Sequence, residues 1–177
     1  MITVNDKKFR LLYSEEQIQS FVDKVAEQLT RDYSDKNPLF LPVLNGAFMF
    51  ASDLMKRLNF PCEISFVKYS SYAGLQTTGK VKSIIGIPPK VKDRHVVVIE
   101  DIVETGFTMQ ALLEDLKEAG VASARIAAFL TKPSELKAPV KVDYTAVEIS
   151  PLFVVGYGLD YDNYGRNYPA LYQLSND

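Results

Sequence analysis

The sequence predicts an α/β protein with a mostly parallel central sheet flanked by helices, and three observations carry that reading. Apolar stretches of strand length alternate with stretches of helical period in the order β, α, β, β, α, β, β. The run VVVIED at 96–101 is β-branched and uniformly apolar up to its acids, as a strand buried on both faces of a parallel sheet should be. Hydrophobic residues fill 47% of the 177 positions and charged residues 24%, so one domain spanning 1–177 should bury roughly 70% of its unfolded surface.

Each element has its own local reason. Ser14 followed by Gln17 reads as a capping box, and Ile18, Phe21, Val22, Val25 and Leu29 recur at helical spacing, so a helix is expected over 14–33. LFLPVL (39–44) is a short continuous apolar run; Asn45-Gly46 breaks it before a helix carrying Phe48, Phe50, Leu54, Met55 and Leu58. EISFVKYS (63–70) and VVVIED (96–101) are strand-like. Met109, Leu112, Leu113 and Leu116 share a helical face that Gly120 ends, and ARIAAFL (124–130) and FVVGYGL (153–159) complete the strands. Ligands of such a sheet sit at the strands' carboxyl ends, so function is expected in the loops there.

Composition excludes several classes. Twenty Lys plus Arg against 22 Asp plus Glu leave a net charge of −2, which speaks for neither nucleic acid nor an anionic membrane. Cys62 is the single cysteine and His95 the single histidine, so neither an intrachain disulfide nor a Cys/His zinc site can form, and both read as structural. No apolar run approaches the eighteen or so residues that span a bilayer, and MITVNDKKFRLL has no apolar signal core; a cytoplasmic protein is expected.

The chemistry concentrates in VVVIEDIVETGFTM (96–109). Two adjacent carboxylates, Glu100 and Asp101, end the strand, and Thr105-Gly106-Phe107-Thr108 opens the next helix. Backbone N–H groups, hydroxyls and the positive end of the helix dipole suit a phosphate. Carboxylates would repel that phosphate, so they must face sugar hydroxyls, a divalent cation or both. A ribose phosphate with Mg²⁺ meets all of these requirements. There is no G-x-x-x-x-G-K-[ST] loop, and Gly156-Tyr157-Gly158 lacks the third glycine and the helix of a dinucleotide turn.

This motif resembles the phosphoribosyl-pyrophosphate motif of the type I phosphoribosyltransferases. LNGA (44–47), SSY (70–72) with AGLQTTGK after it, Lys132, and FVVGYGLDYDNYGR (153–166) resemble the hypoxanthine-guanine branch in order and spacing. The resemblance implies a type I phosphoribosyltransferase fold with a small hood built from the chain ends. It also implies a Mg²⁺-dependent transfer of phosphoribosyl from phosphoribosyl pyrophosphate to a 6-oxopurine base, in a homodimer or homotetramer. It implies further that Glu100 and Asp101 hold the ribose hydroxyls and metal, that Glu104, Thr105, Gly106, Phe107 and Thr108 cradle the 5′-phosphate, and that Glu104 handles the proton at purine N7. Lys132 would donate to the 6-oxo group, Phe153 would stack on the base, and the Val154 backbone would read its Watson–Crick edge. Asp160 would bind a second Mg²⁺ at the purine and pyrophosphate side, Arg166 and the Asn45-Gly46 loop would bind pyrophosphate, and Ser71 and Tyr72 would belong to a loop closing over the site. Taken without that resemblance, Phe153 reads as core and Lys132 as a solvated turn residue.

Two positions depart from the family pattern. Glu104 stands where Asp is usual, extending the carboxylate by a methylene, roughly 1.5 Å. Asn45 stands where a basic residue often follows the leucine, and the resemblance implies a cis Leu44-Asn45 peptide. Rival readings are a xanthine-preferring transferase and an RNA-binding regulator on the same fold; the latter should show a strong basic face, against which the net charge speaks.

Overall fold

The computed structural model describes residues 1–71 and 81–175. The chain opens with a hairpin, β1 (Ile2–Val4) and β2 (Lys7–Tyr13), and continues into helix α1 (Glu15–Tyr33). The Ser14 capping box is present: its side chain accepts from the Gln17 N–H, and the Gln17 side chain accepts from the Ser14 N–H. Next come β3 (Leu39–Pro42), α2 (Phe48–Met55), β4 (Glu63–Ile64) and the hairpin strands β5 (Lys68–Ser71) and β6 (Val81–Ile85). The second half holds β7 (His95–Val103), α3 (Phe107–Glu118), β8 (Ser123–Thr131), β9 (Tyr144–Glu148), β10 (Val154–Val155) and β11 (Leu171–Leu174).

The central sheet has five strands in the order β4-β3-β7-β8-β9, every neighbouring pair parallel. The apolar run of β7, Val96–Ile99, divides its side chains between two cores. Val97 and Ile99 pack with α1 and α2 through Val22, Leu29, Phe50 and Leu54, while Val96 and Val98 pack with Met109, Leu112 and Leu116 of α3. Helices on both faces explain why no polar residue interrupts the strand before Glu100.

The two chain ends meet in a four-stranded antiparallel hood, β1-β2-β11-β10, around Val4, Phe9 and Val155. The expected α/β sheet and hood are both found. Several strands differ from the sequence pattern. The 63–70 stretch divides into β4 and β5 because they join different sheets. The 153–159 stretch is strand only at Val154–Val155, after which Gly156, Tyr157 and Gly158 all take positive φ and turn the chain. No periodic signal marks β9, whose burial is mixed along its length because it is the sheet's edge.

Candidate active site

The carboxyl end of β7 carries the acids. Glu100 is 7% exposed, and its Oε1 accepts from the Asp101 N–H at 3.1 Å; Asp101 Oδ1 accepts from the Ile102 N–H at 2.8 Å. Among the described residues neither carboxylate stands in an ion pair. Burial, and then the neighbouring Asp101 charge, push the Glu100 carboxyl well above its ordinary range. Burial raises Asp101 too, opposed by its hydrogen bonds and by the charge of Arg166. One loop packs directly onto this pair and a second packs onto that loop. A Cβ at Gly46 would fall on the Asp101 carboxylate, and one at Gly158, with φ +96°, would fall on the Gly46 carbonyl. Only glycine lets the three loops approach this closely.

Two adjacent carboxylates, one buried and one half-buried, with no ion-pair partner among the described residues form a donor set that fits an oxygen-seeking divalent ion. No group of three or more His, Cys, Asp or Glu converges among the described residues. An ion held here would therefore complete its shell from substrate oxygens and water, which is the habit of Mg²⁺.

Glu104 to Thr108 lead into α3. Gly106 caps the helix in the left-handed region at φ +82° with no side-chain cap bond, and no acid occupies the first turn. A Cβ there would press on Leu136 and Val140 at 2.8 Å. The Thr105 carbonyl accepts from the N–H groups of Lys137 (3.0 Å) and Ala138 (2.9 Å), which fixes the loop from outside. The α3 N-terminus is thereby held rigid, with its first-turn N–H groups free of side-chain caps.

Lys132 follows β8, and its N–H donates to the Val103 carbonyl at 3.0 Å, tying it to the end of β7. Its side chain is only 8% exposed and forms an ion pair with the half-exposed Glu104. The lysine is therefore a buried partner of the loop acid and not a solvated turn residue. Phe153 is 45% exposed, edge-on to Tyr161 with ring centroids 5.8 Å apart, so it is not core either. Val154 beside it is buried in β10. Arg166 holds Asp160 Oδ1 at 2.6 Å and donates to the Gly158 carbonyl at 2.8 Å; Asp160 Oδ2 accepts from the Asn163 N–H at 2.8 Å. The Leu44-Asn45 peptide is cis. Ser71 ends β5, while Tyr72 and residues 73–80 lie outside the described residues.

Two features of the neighbourhood have no sequence signal of their own. Tyr157 donates to Asp53 Oδ2 (2.8 Å), which also accepts from Gln19 Nε2 (2.9 Å), while Asp53 Oδ1 accepts from Lys56 Nζ (3.0 Å). This network anchors the Gly156-Tyr157-Gly158 turn to α1 and α2. Lys68 Nζ donates to Asn45 Oδ1 at 3.4 Å. Both contacts join residues distant in sequence, where spacing carries no information.

A parallel sheet with unpaired acids and an uncapped helix N-terminus at its carboxyl edge places the chain among α/β proteins that handle phosphorylated ligands. Residues 12–162 match the family described as phosphoribosyl transferase domain. The chain is 40% identical over 168 residues to a hypoxanthine-guanine phosphoribosyltransferase of Staphylococcus aureus, covering 94% of this chain and 93% of the relative. It is 37% identical over 163 residues to a hypoxanthine-guanine-xanthine phosphoribosyltransferase of Tritrichomonas foetus, covering 92% and 89%. A crystal structure of a hypoxanthine phosphoribosyltransferase from Staphylococcus aureus superposes with a TM-score of 0.90 at 39% identity, covering 97% of this chain and 93% of that one. The chain belongs to the phosphoribosyltransferase family.

Proposed function

We propose that the chain is the purine-salvage enzyme that transfers the 5-phosphoribosyl group from phosphoribosyl pyrophosphate to N9 of hypoxanthine and guanine, releasing pyrophosphate. The relatives' names support the substrates, and the ion pair of the buried Lys132 with Glu104, together with the half-exposed ring of Phe153, is the observation that carries the base assignment. On a 6-oxopurine, N7 and the 6-oxygen are neighbours. A base stacked on Phe153 offers a carbonyl to the Lys132 ammonium and an N7–H to the Glu104 carboxylate, each donor meeting an acceptor. An adenine amino group would oppose the ammonium donor to donor, leaving both unpaired in a dry site. The Val154 backbone reads the remaining edge.

In this reading Glu100 and Asp101 hold the ribose hydroxyls and Mg²⁺, and Glu104 to Thr108 cradle the 5′-phosphate. Asn45, Gly46 and Arg166 receive pyrophosphate. Mg²⁺, when bound, neutralises charge on the departing pyrophosphate. Asp160 would hold a second metal, and a carboxylate so engaged would leave the guanidinium fork of Arg166, now paired with it, for pyrophosphate. Ser71 and Tyr72 belong to the segment that covers the reacting sugar, excluding water from an oxocarbenium-like centre. Glu104 takes the N7 proton as the bond to N9 forms. We further propose a homodimer or homotetramer working in the cytoplasm; no helix among the described residues is long and apolar enough to cross a membrane.

The test is nucleotide formation from phosphoribosyl pyrophosphate with hypoxanthine, guanine, xanthine and adenine, with and without Mg²⁺, for the parent and Lys132→Ala. Turnover of the 6-oxopurines only, dependent on Mg²⁺, is expected. Lys132→Ala should weaken hypoxanthine binding by about 1 to 3 kcal/mol and lose discrimination against adenine. A parent that uses adenine as readily, or a variant with unchanged preference, overturns the base assignment. Xanthine as the fastest substrate would move the chain toward the broader specificity that the Tritrichomonas foetus relative is named for.

A further inference from the structure

The cations around the acid pair differ in what holds them. Arg166 is committed to the Asp160 carboxylate and the Gly158 carbonyl, and Lys132 to the Glu104 carboxylate. Lys68 stands in no ion pair among the described residues, and its ammonium meets only the neutral amide oxygen of Asn45. It is half-buried and comes off a fixed backbone. The Val67 N–H donates to the Pro42 carbonyl at 3.1 Å, the Leu44 N–H donates to the Val67 carbonyl at 2.8 Å, and Val43 and Val67 pair in parallel. Asn45 adjoins Gly46, which packs on Asp101. A half-buried ammonium with no carboxylate partner among the described residues, held on the loop whose Gly46 packs on the acid pair, is a preorganised site for an anion.

We propose that Lys68 is a substrate-binding residue for the pyrophosphate group of phosphoribosyl pyrophosphate, with Asn45 as the neutral side chain that holds the ammonium in position. The inference rests on the phosphoribosyl-transfer reading above. Residue 45 carries no charge of its own, and Lys68 supplies it to the same loop from the neighbouring strand. The ammonium offers three donors and spends one on Asn45, so two remain for phosphate oxygens.

The experiment compares the parent with Lys68→Gln, Lys68→Arg and the double variant Lys68→Gln/Asn45→Lys, which moves the charge across the contact. Calorimetry reads binding of inorganic pyrophosphate with Mg²⁺, and steady-state kinetics read KM for phosphoribosyl pyrophosphate and for hypoxanthine separately. Lys68→Gln should weaken pyrophosphate and raise KM for phosphoribosyl pyrophosphate by about ten- to a hundredfold while leaving KM for hypoxanthine unchanged. Lys68→Arg should recover most of that loss, and the double variant part of it. Unchanged pyrophosphate binding in Lys68→Gln overturns the proposal. So does an equal rise in both KM values that neither Lys68→Arg nor the double variant relieves, which is the signature of a merely structural lysine. A parent that makes no nucleotide from any purine overturns the functional reading instead, and the pyrophosphate titration still decides Lys68.

Discussion

Helices α1 and α3 begin in opposite ways. At α1 the chain satisfies its own polar groups: Ser14 and Gln17 cap each other, and Glu15 and Glu16 complement the dipole. At α3 a left-handed glycine leads in, with neither cap nor acid. The carboxylates repeat the contrast. Burial alone would raise Asp53, but hydrogen bonds from Gln19, Lys56 and Tyr157 bring its carboxyl below the ordinary value. Glu100 and Asp101, more deeply buried, lack such donors and are raised. Polar groups that serve the fold are satisfied from within the chain. Those at the β7–α3 junction lack such side-chain partners, which under the proposed function a ligand supplies, at some cost in stability to the fold.

The largest expected effect breaks that contrast at the acids. Glu100→Gln with Asp101→Asn should cost about 10³-fold in kcat/KM for phosphoribosyl pyrophosphate, several kcal/mol of metal and hydroxyl binding. Without Mg²⁺ the same variant should melt higher than the parent. Acids whose carboxyls are raised by folding contribute stability below their ordinary values, 4.5 and 3.8, and lose it as pH climbs through the raised ones. The melting advantage of the double variant should therefore grow as pH rises above about 4. A metal-free variant that melts lower than the parent at pH 8 would show that the pair stabilises the fold.

Glu104 comes next. Glu104→Gln should lower kcat by about 10²-fold with phosphoribosyl pyrophosphate binding nearly intact. Glu104→Asp draws the carboxylate back by roughly 1.5 Å, away from the Lys132 ammonium it now meets, and should slow the enzyme as well. A faster Asp variant would show that the loop is built for the shorter acid, and a Gln variant as fast as the parent would remove Glu104 from proton transfer.

Local pattern made much of this molecule readable from residues alone. The α1 cap, the two-sided burial of β7 and the Thr-Gly loop before α3 are each set by neighbours within a few positions, and the structure has them where the spacing puts them. The hood follows only from the family resemblance, because KKFRLLY of β2 alternates too weakly to announce a strand before its partner β11 arrives from the other chain end. Phe153 and Lys132 read as core and as surface when taken alone, and each proves the reverse; burial at the end of a strand depends on which loops fold back over it. The Asp53–Tyr157 and Lys68–Asn45 contacts span 104 and 23 residues, and no local rule reaches that far.

The Asp53 network tests the other side of the comparison, with a smaller effect. Asp53→Asn keeps an acceptor for Tyr157 but loses the charge that strengthens three hydrogen bonds, so it should cost about 1.5–3 kcal/mol of stability at pH 7. For a chain of this length each kcal/mol lowers Tm by about 2–4 °C. The pH dependence runs opposite to that of the acid pair. A carboxyl lowered by folding contributes stability above its ordinary value, 3.8, and loses it as pH falls through the lowered one. The gap between parent and Asp53→Asn should thus be full at pH 7 and close below about pH 4. Because Tyr157 carries the turn that sets Gly158 against Gly46, the variant should also loosen the wall that faces Asp101. Catalysis should fall by less than for any change at the acids or Glu104, since no Asp53 atom touches the reacting groups. A stability gap as large at pH 3 as at pH 7 would mean that Asp53 acts through packing, and the division between satisfied and waiting carboxylates would then fail on its structural side.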